Sequence, residues 1–177
     1  MKKGGTGGGR TVTGLHFESR QPLVAIINAL PDYSVAHDKF YFRGQEVGQF
    51  YTKNKLYKKL LEPKGIDYKE LISKKLLPDD AIFIISKNTL FIIEIKFQGV
   101  AGSVDEKLQT CDFKNKQYRK LLAPLNIDVK YVYVLNEWFM KKEYKDVLNF
   151  INSVGCFYFF DEIPLDFLGL PIPGNKT

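Results

Sequence analysis

The sequence predicts an α/β fold, a central mixed β-sheet flanked by helices. Three observations carry that expectation. Along Phe91–Phe97 the residues alternate, so that Phe91, Ile93, Ile95 and Phe97 share one face while Ile92, Glu94 and Lys96 share the other. Short runs rich in β-branched and aromatic residues recur as AIFII, VKYVYVL and CFYFF. Between them lie stretches whose apolar residues return at helical spacing. Strands that alternate with helices pack as layers around one sheet.

Each element follows in order. Residues 1–13 are Gly-rich and basic, with Lys2, Lys3 and Arg10, and cannot bury enough apolar surface to order themselves alone; they form an arm ahead of a single domain, 14–177. From Thr13, a candidate N-cap, residues Leu15, Leu23, Ile26, Ile27 and Leu30 fall near helical spacing, with Pro22 as a kink or restart. Tyr33 to Thr52 alternates loosely, broken by Gly44 and Gly48, and fits a strand or hairpin. Lys53 to Lys75 holds two short helical patterns parted by Pro63 and Gly65. Two strands joined by SKNT come next, then a basic helix over Asp105 to Leu122 and a strand over Val129 to Leu135. Glu137 to Val154 reads as a helix with Trp138, Phe139, Val147, Phe150 and Ile151 as its apolar stripe. Cys156 to Phe160 is a last strand, and the tail after Pro164 is irregular.

Composition bounds the function. A chain of 177 residues that is 45% hydrophobic can bury one sizeable core. No apolar run reaches the roughly 18 residues that span a bilayer, and MKKGGTGGGR lacks the apolar centre of a secretory signal, so no membrane association and a cytoplasmic location are expected. A net charge of +6 suits a polyanionic partner. Cys111 and Cys156 read as free thiols, because they lack metal-like spacing. His16 and His37 have no second histidine or cysteine at ligand spacing. The glycines at Gly4 to Gly9 have no GK[ST] ending and no strand before them, so they are not a phosphate loop.

The chemistry concentrates between Pro78 and Phe97. Glu94 and Lys96 lie two positions apart on a strand, so their side chains leave the same face with Cα atoms about 6 to 7 Å apart. AIFII is apolar on both faces, which makes it an interior strand and puts Asp79 and Asp80 at a sheet end. A two-residue turn at Lys87 and Asn88 would bring Asp79 opposite Lys96, on the face of Glu94. A three-residue loop would shift the register by one and substitute Asp80. Two carboxylates and a lysine on one patch suit metal-assisted phosphodiester hydrolysis. The hard cation Mg²⁺, for which Mn²⁺ can substitute, is held by one or two carboxylates plus waters and phosphate oxygens. A turn and a solvated ion pair would use the same residues without any such role.

Pro78-Asp79 followed by Glu94-Ile95-Lys96 resembles the motif of the PD-(D/E)xK nuclease superfamily, and the chain is most similar to a small type II restriction endonuclease. The likeness spans Thr13 to Leu135 and implies a restriction-endonuclease-like core. It implies Asp79 and Glu94 as metal ligands, Lys96 as the catalytic lysine, and Asp79 rather than Asp80, because the motif's acid directly follows its proline. Glu18 occupies the place from which the family's first helix often supplies a further metal-binding carboxylate. The implied activity is Mg²⁺-dependent, site-specific cleavage of double-stranded DNA by a homodimer. A structure-specific nuclease such as a Holliday junction resolvase, and a non-catalytic DNA-binding domain, share the core. For base readout the expectation falls on Gln98, Ser103, Gln109, Lys114 and Asn115, which follow the active strand. Lys53, Lys55, Lys58 and Lys59, and the row Lys114, Lys116, Arg119 and Lys120, read as a solvated face that in a nuclease would also neutralise phosphates.

Overall fold

A computed structural model describes residues 12–18, 21–100 and 104–174. The chain runs β1 (Gly14–His16), α1 (Leu23–Asn28), β2 (Tyr33–Ala36), β3 (Lys39–Phe42), β4 (Gln45–Phe50), β5 (Asp80–Ile84), β6 (Thr89–Lys96), α2 (Val104–Leu108), α3 (Cys111–Leu122), β7 (Asp128–Leu135), α4 (Lys145–Ser153), β8 (Phe157–Phe160), β9 (Glu162–Pro164) and α5 (Leu165–Leu168). The predicted basic arm, apart from Val12 and Thr13, lies outside the described residues, as does Ser103. No helix among the described residues is long and apolar enough to cross a membrane.

Among the described residues, seven strands form a mixed sheet in the order β2-β3-β4-β5-β6-β7-β8. The first five are an antiparallel meander, and β6, β7 and β8 are parallel. Parallel neighbours need crossovers, which α2 and α3 supply before β7 and α4 supplies before β8. The predicted α/β class and mixed sheet are therefore what the chain adopts.

Both sheet faces are covered, as parallel strands require. On one, Leu90 and Ile92 of β6 and Tyr131 and Tyr133 of β7 pack against Leu108, Tyr118 and Leu121 of the crossover helices and against Leu56, Tyr57 and Leu61. On the other, Phe91, Ile93, Val132 and Val134 meet Leu15, Leu23, Ile27, Leu165 and Leu168. Each fully buried large apolar side chain contributes about 1.5–3 kcal/mol. In α3 the buried residues Cys111, Asn115, Tyr118 and Leu122 recur at helical spacing. Asp112 in its first turn and Arg119 and Lys120 in its last complement the helix dipole. Pro124 and the left-handed Asn126 end it. In β4, Gly48 admits the Phe40 ring and the Phe83 carbonyl into the space a Cβ would fill.

Several expected elements change. The helix read from Thr13 begins only at Leu23, and Leu15, His16 and Phe17 alternate buried, exposed, buried on and just past β1, which pairs with β9. Thr13 caps no helix, and its carbonyl accepts from Leu165 N at 2.9 Å. Leu15 fits a period of three or of two, and a partner strand nearly 150 residues downstream decides between them. Tyr33 to Thr52 supplies three strands rather than one hairpin. Lys53 to Lys75 condenses to a wide turn of π type at Leu56–Leu61 and two 3₁₀ turns. The helix from Glu137 starts at Lys145, after two 3₁₀ turns, and Phe150 of its predicted stripe is exposed. A short strand, β9, precedes the tail, and the tail after Pro164 forms α5, whose Phe167 ring meets those of Phe157 and Phe159.

Candidate active site

The register of β5 on β6 positions the acids. The connection between them is four residues, a 3₁₀ turn Ile85–Lys87 followed by Asn88 at φ 46°, so Ile84 pairs with Thr89. Thr89 Oγ1 donates to Lys87 O at 2.9 Å, and Asn88 Nδ2 to Asn126 O at 2.7 Å, which hold the turn. Asp80 therefore pairs with Ile93, and Asp79, one residue earlier, falls abreast of Glu94. Neither predicted turn forms. Relative to the two-residue turn the register slips by two, which changes Asp79's partner from Lys96 to Glu94 yet keeps it on the same face. Asp80 faces the other way, with Ile82 and Ile93.

Glu94 is 6% exposed, and a charge so buried persists only if it is paired. Lys96 Nζ stands 3.0 Å from its Oε2. Lys114 Nζ, from α3, donates to Oε1 at 2.8 Å, and the Tyr131 hydroxyl donates to that same oxygen. Burial alone would raise the Glu94 carboxyl, but the Lys96 charge, with Lys114 and Tyr131, outweighs it and holds the group below its ordinary range. Burial, with the Glu94 charge second, pushes the Tyr131 hydroxyl far up, so it remains a donor. Lys96 meets Oε2 as an ion pair, and Oε2, shielded from solvent, accepts no hydrogen bond among the described residues.

A cleft of about 660 Å³ opens at this end of the sheet, lined by Asp79, Asp80, Ile95, Lys96 and Phe97 with Gln21, Pro22, Thr52, Lys53 and Lys107. It lies just past the carboxyl end of β6, where open α/β sheets bind ligands. Lys53 is held at φ 50°, its N–H bonded to Pro78 O at 2.8 Å. Burial, then the neighbouring Asp79 charge, pushes the Asp80 carboxyl up to about 6, with Lys53 opposing them. The cleft thus combines the exposed Asp79 carboxylate, the Asp80 carboxyl pushed up to about 6 and three lysines, Lys53, Lys96 and Lys107, with Glu94 behind Lys96 and outside the lining.

The other predicted residues divide. Glu18 sits on a bend before α1, exposed and outside the cleft lining, because the helix meant to carry it starts later. Among the described residues no three His, Cys, Asp or Glu side chains gather around one point, so the acids offered are Asp79 and Glu94, with Asp80 beside them. Gln98 lies past the end of β6, its backbone clasped by Asn136, which accepts from Gln98 N at 3.2 Å and donates to Gln98 O at 2.8 Å. Gln109 is exposed in the turn between α2 and α3. Asn115 is 3% exposed and turned into the core beside Cys156, so it cannot reach a groove. Lys114 is committed to Glu94 rather than to an outer face. Tyr131, Lys107 and Asn136 were not among the expected residues, and Lys53, expected only in a basic row, lines the cleft. Tyr131 alone had a local signal: it alternates with Tyr133 on the strand expected over Val129 to Leu135, and tyrosines inside a buried strand need a partner for each hydroxyl.

No protein-family model, curated protein or solved structure matches the chain.

Proposed function

We propose that the chain is a Mg²⁺-dependent endonuclease of the PD-(D/E)xK type, cleaving double-stranded DNA in the manner of a type II restriction enzyme. One observation carries the reading. At the end of β6, Glu94 turns an oxygen without a hydrogen bond toward Lys96, on the face that Asp79 shares. The donors are hard oxygens and few, which fits a cation that keeps most of its waters and takes one or two carboxylates.

Asp79 and Glu94 would hold the ion. When bound it supplies Lewis-acid polarisation of a phosphoryl oxygen and a lower pKa for a coordinated water. Lys96, half-buried beside Glu94, presents its ammonium to the attacking water and to the charge that develops on the phosphate. Lys53 and Lys107 draw the phosphodiester backbone into the cleft by charge alone, without reading sequence. No side chain becomes covalently attached. A homodimer supplies a second cleft for the second strand of a palindromic site.

The test is incubation with phage DNA and Mg²⁺, resolved on a gel. Discrete fragments, abolished by EDTA and by Lys96→Ala, are expected. Cleavage confined to four-way junctions would redirect the reading to a resolvase. Absence of nicking in both Mg²⁺ and Mn²⁺ would leave a DNA-binding domain.

A further inference from the structure

We infer that Lys114 is a positioning residue, which by gripping Oε1 of Glu94 turns the carboxylate's other oxygen toward Lys96 at the cleft wall, where a divalent cation would take it as a ligand. The inference rests on the metal-dependent reading above and extends it to a residue outside the motif. Its ground is geometric. Two donors from separate elements, Lys114 Nζ at 2.8 Å and the Tyr131 hydroxyl, converge on Oε1, whereas Oε2, shielded from solvent, accepts no hydrogen bond among the described residues and faces the ammonium of Lys96, a cleft-lining residue, at 3.0 Å.

A carboxylate fixed through one oxygen has its plane and rotamer set before any ligand arrives. Groups that orient a ligand in this way typically alter metal affinity about 10–100-fold when removed. Lys114 reaches the acid from α3, which packs on the Glu94 face of the sheet through Tyr118 and Leu121. Half-buried in that packing, its ammonium is poorly placed to contact bases. Asp112 takes Lys116, four residues along the helix, at 2.7 Å, and leaves Lys114 to Glu94.

The probe is Mn²⁺, titrated by electron paramagnetic resonance against wild type, Lys114→Ala, Lys114→Arg and Tyr131→Phe, with thermal midpoints as a control for folding. Wild type should bind. Lys114→Ala should weaken Mn²⁺ binding at least tenfold, Tyr131→Phe should weaken it less, and Lys114→Arg should recover part of the loss. Duplex affinity measured in EDTA should stay within twofold of wild type for all three. Unchanged Mn²⁺ affinity in Lys114→Ala and Tyr131→Phe would overturn the inference while leaving the nuclease reading intact. So would tighter Mn²⁺ binding in Lys114→Ala, the mark of a lysine that merely competes for the acid. Should Lys114→Ala fail to fold, Tyr131→Phe decides, since it preserves the ring and removes one of the two donors. A wild type that binds no Mn²⁺ would remove the metal-dependent reading and this inference with it.

Discussion

Among the described residues, two carboxylates are each gripped by two lysines. Asp38 takes Lys55 at 2.5 Å and also Lys59, and Glu94 takes Lys96 at 3.0 Å and Lys114 at 2.8 Å. The charge count is the same, but the surroundings differ. The lysines on Asp38 are about half exposed, whereas those on Glu94 are 19% and 30% exposed around a side chain at 8%. At Asp38 the lysine hydrogen bonds are the leading influence, and they lower the carboxyl. At Glu94 the leading influence is burial, which opposes ionisation and is outweighed. Solvent can replace either partner at the first site. At the second, each charge depends on the others, so the same arrangement becomes a fixed and consequential device. Lysines predicted as one phosphate-binding row are thereby parted: Lys55 and Lys59 are spent on Asp38, and Lys53 turns to the cleft.

Removing each acid tests that contrast most severely. Glu94→Ala strands two part-buried ammoniums and should cost about 3 kcal/mol, read from urea unfolding, together with all cleavage activity. Equal stability of Glu94→Ala and wild type would erase the distinction. Asp79→Ala and Lys96→Ala should also abolish cleavage of plasmid, with the circular dichroism of the fold retained.

Acidity sharpens it next. The Glu94 carboxyl is lowered on folding, so its stabilisation is complete above the unfolded value of about 4.3 and is lost as pH falls through the lower folded value. Asp80 has the opposite sign. With its carboxyl raised to about 6, the folded chain binds more protons between the unfolded value and 6, and stability falls as pH rises across that window. Asp80→Asn should therefore be more stable than wild type at pH 8, by about 1 kcal/mol after discounting for solvent screening, with the gain fading toward pH 4. Thermal melts across that range would show it. The smallest effect belongs to the surface trio: Asp38→Ala should cost less than about 1 kcal/mol, and less still in high salt, as measured by the same melts.

The legible part of the site was its local part. Alternation in Phe91–Phe97 put Glu94 and Lys96 on one face, and the structure keeps them there, because side-chain direction along a strand repeats every two residues whatever the strand pairs with. The acid pair at the start of AIFII was visible for the same reason. The choice between Asp79 and Asp80 was not, since it hung on a turn whose length depends on Asn88 adopting a left-handed conformation and bonding to Asn126. Glu18 was placed on a first helix because Leu15 satisfied a helical count, and the pairing of β1 with β9 shows a strand there instead.

The sequence by itself determined the α/β class, the strand pair and the shared face of Glu94 and Lys96, all set by interactions within a few residues. Only the tertiary structure decided which aspartate stands beside Glu94, and that Lys114 and Tyr131, 20 and 37 positions away, grip its oxygen. Those contacts arise when a crossover helix docks on a sheet and a parallel strand takes its register. Both are set by the burial of whole faces rather than by the residues that finally touch.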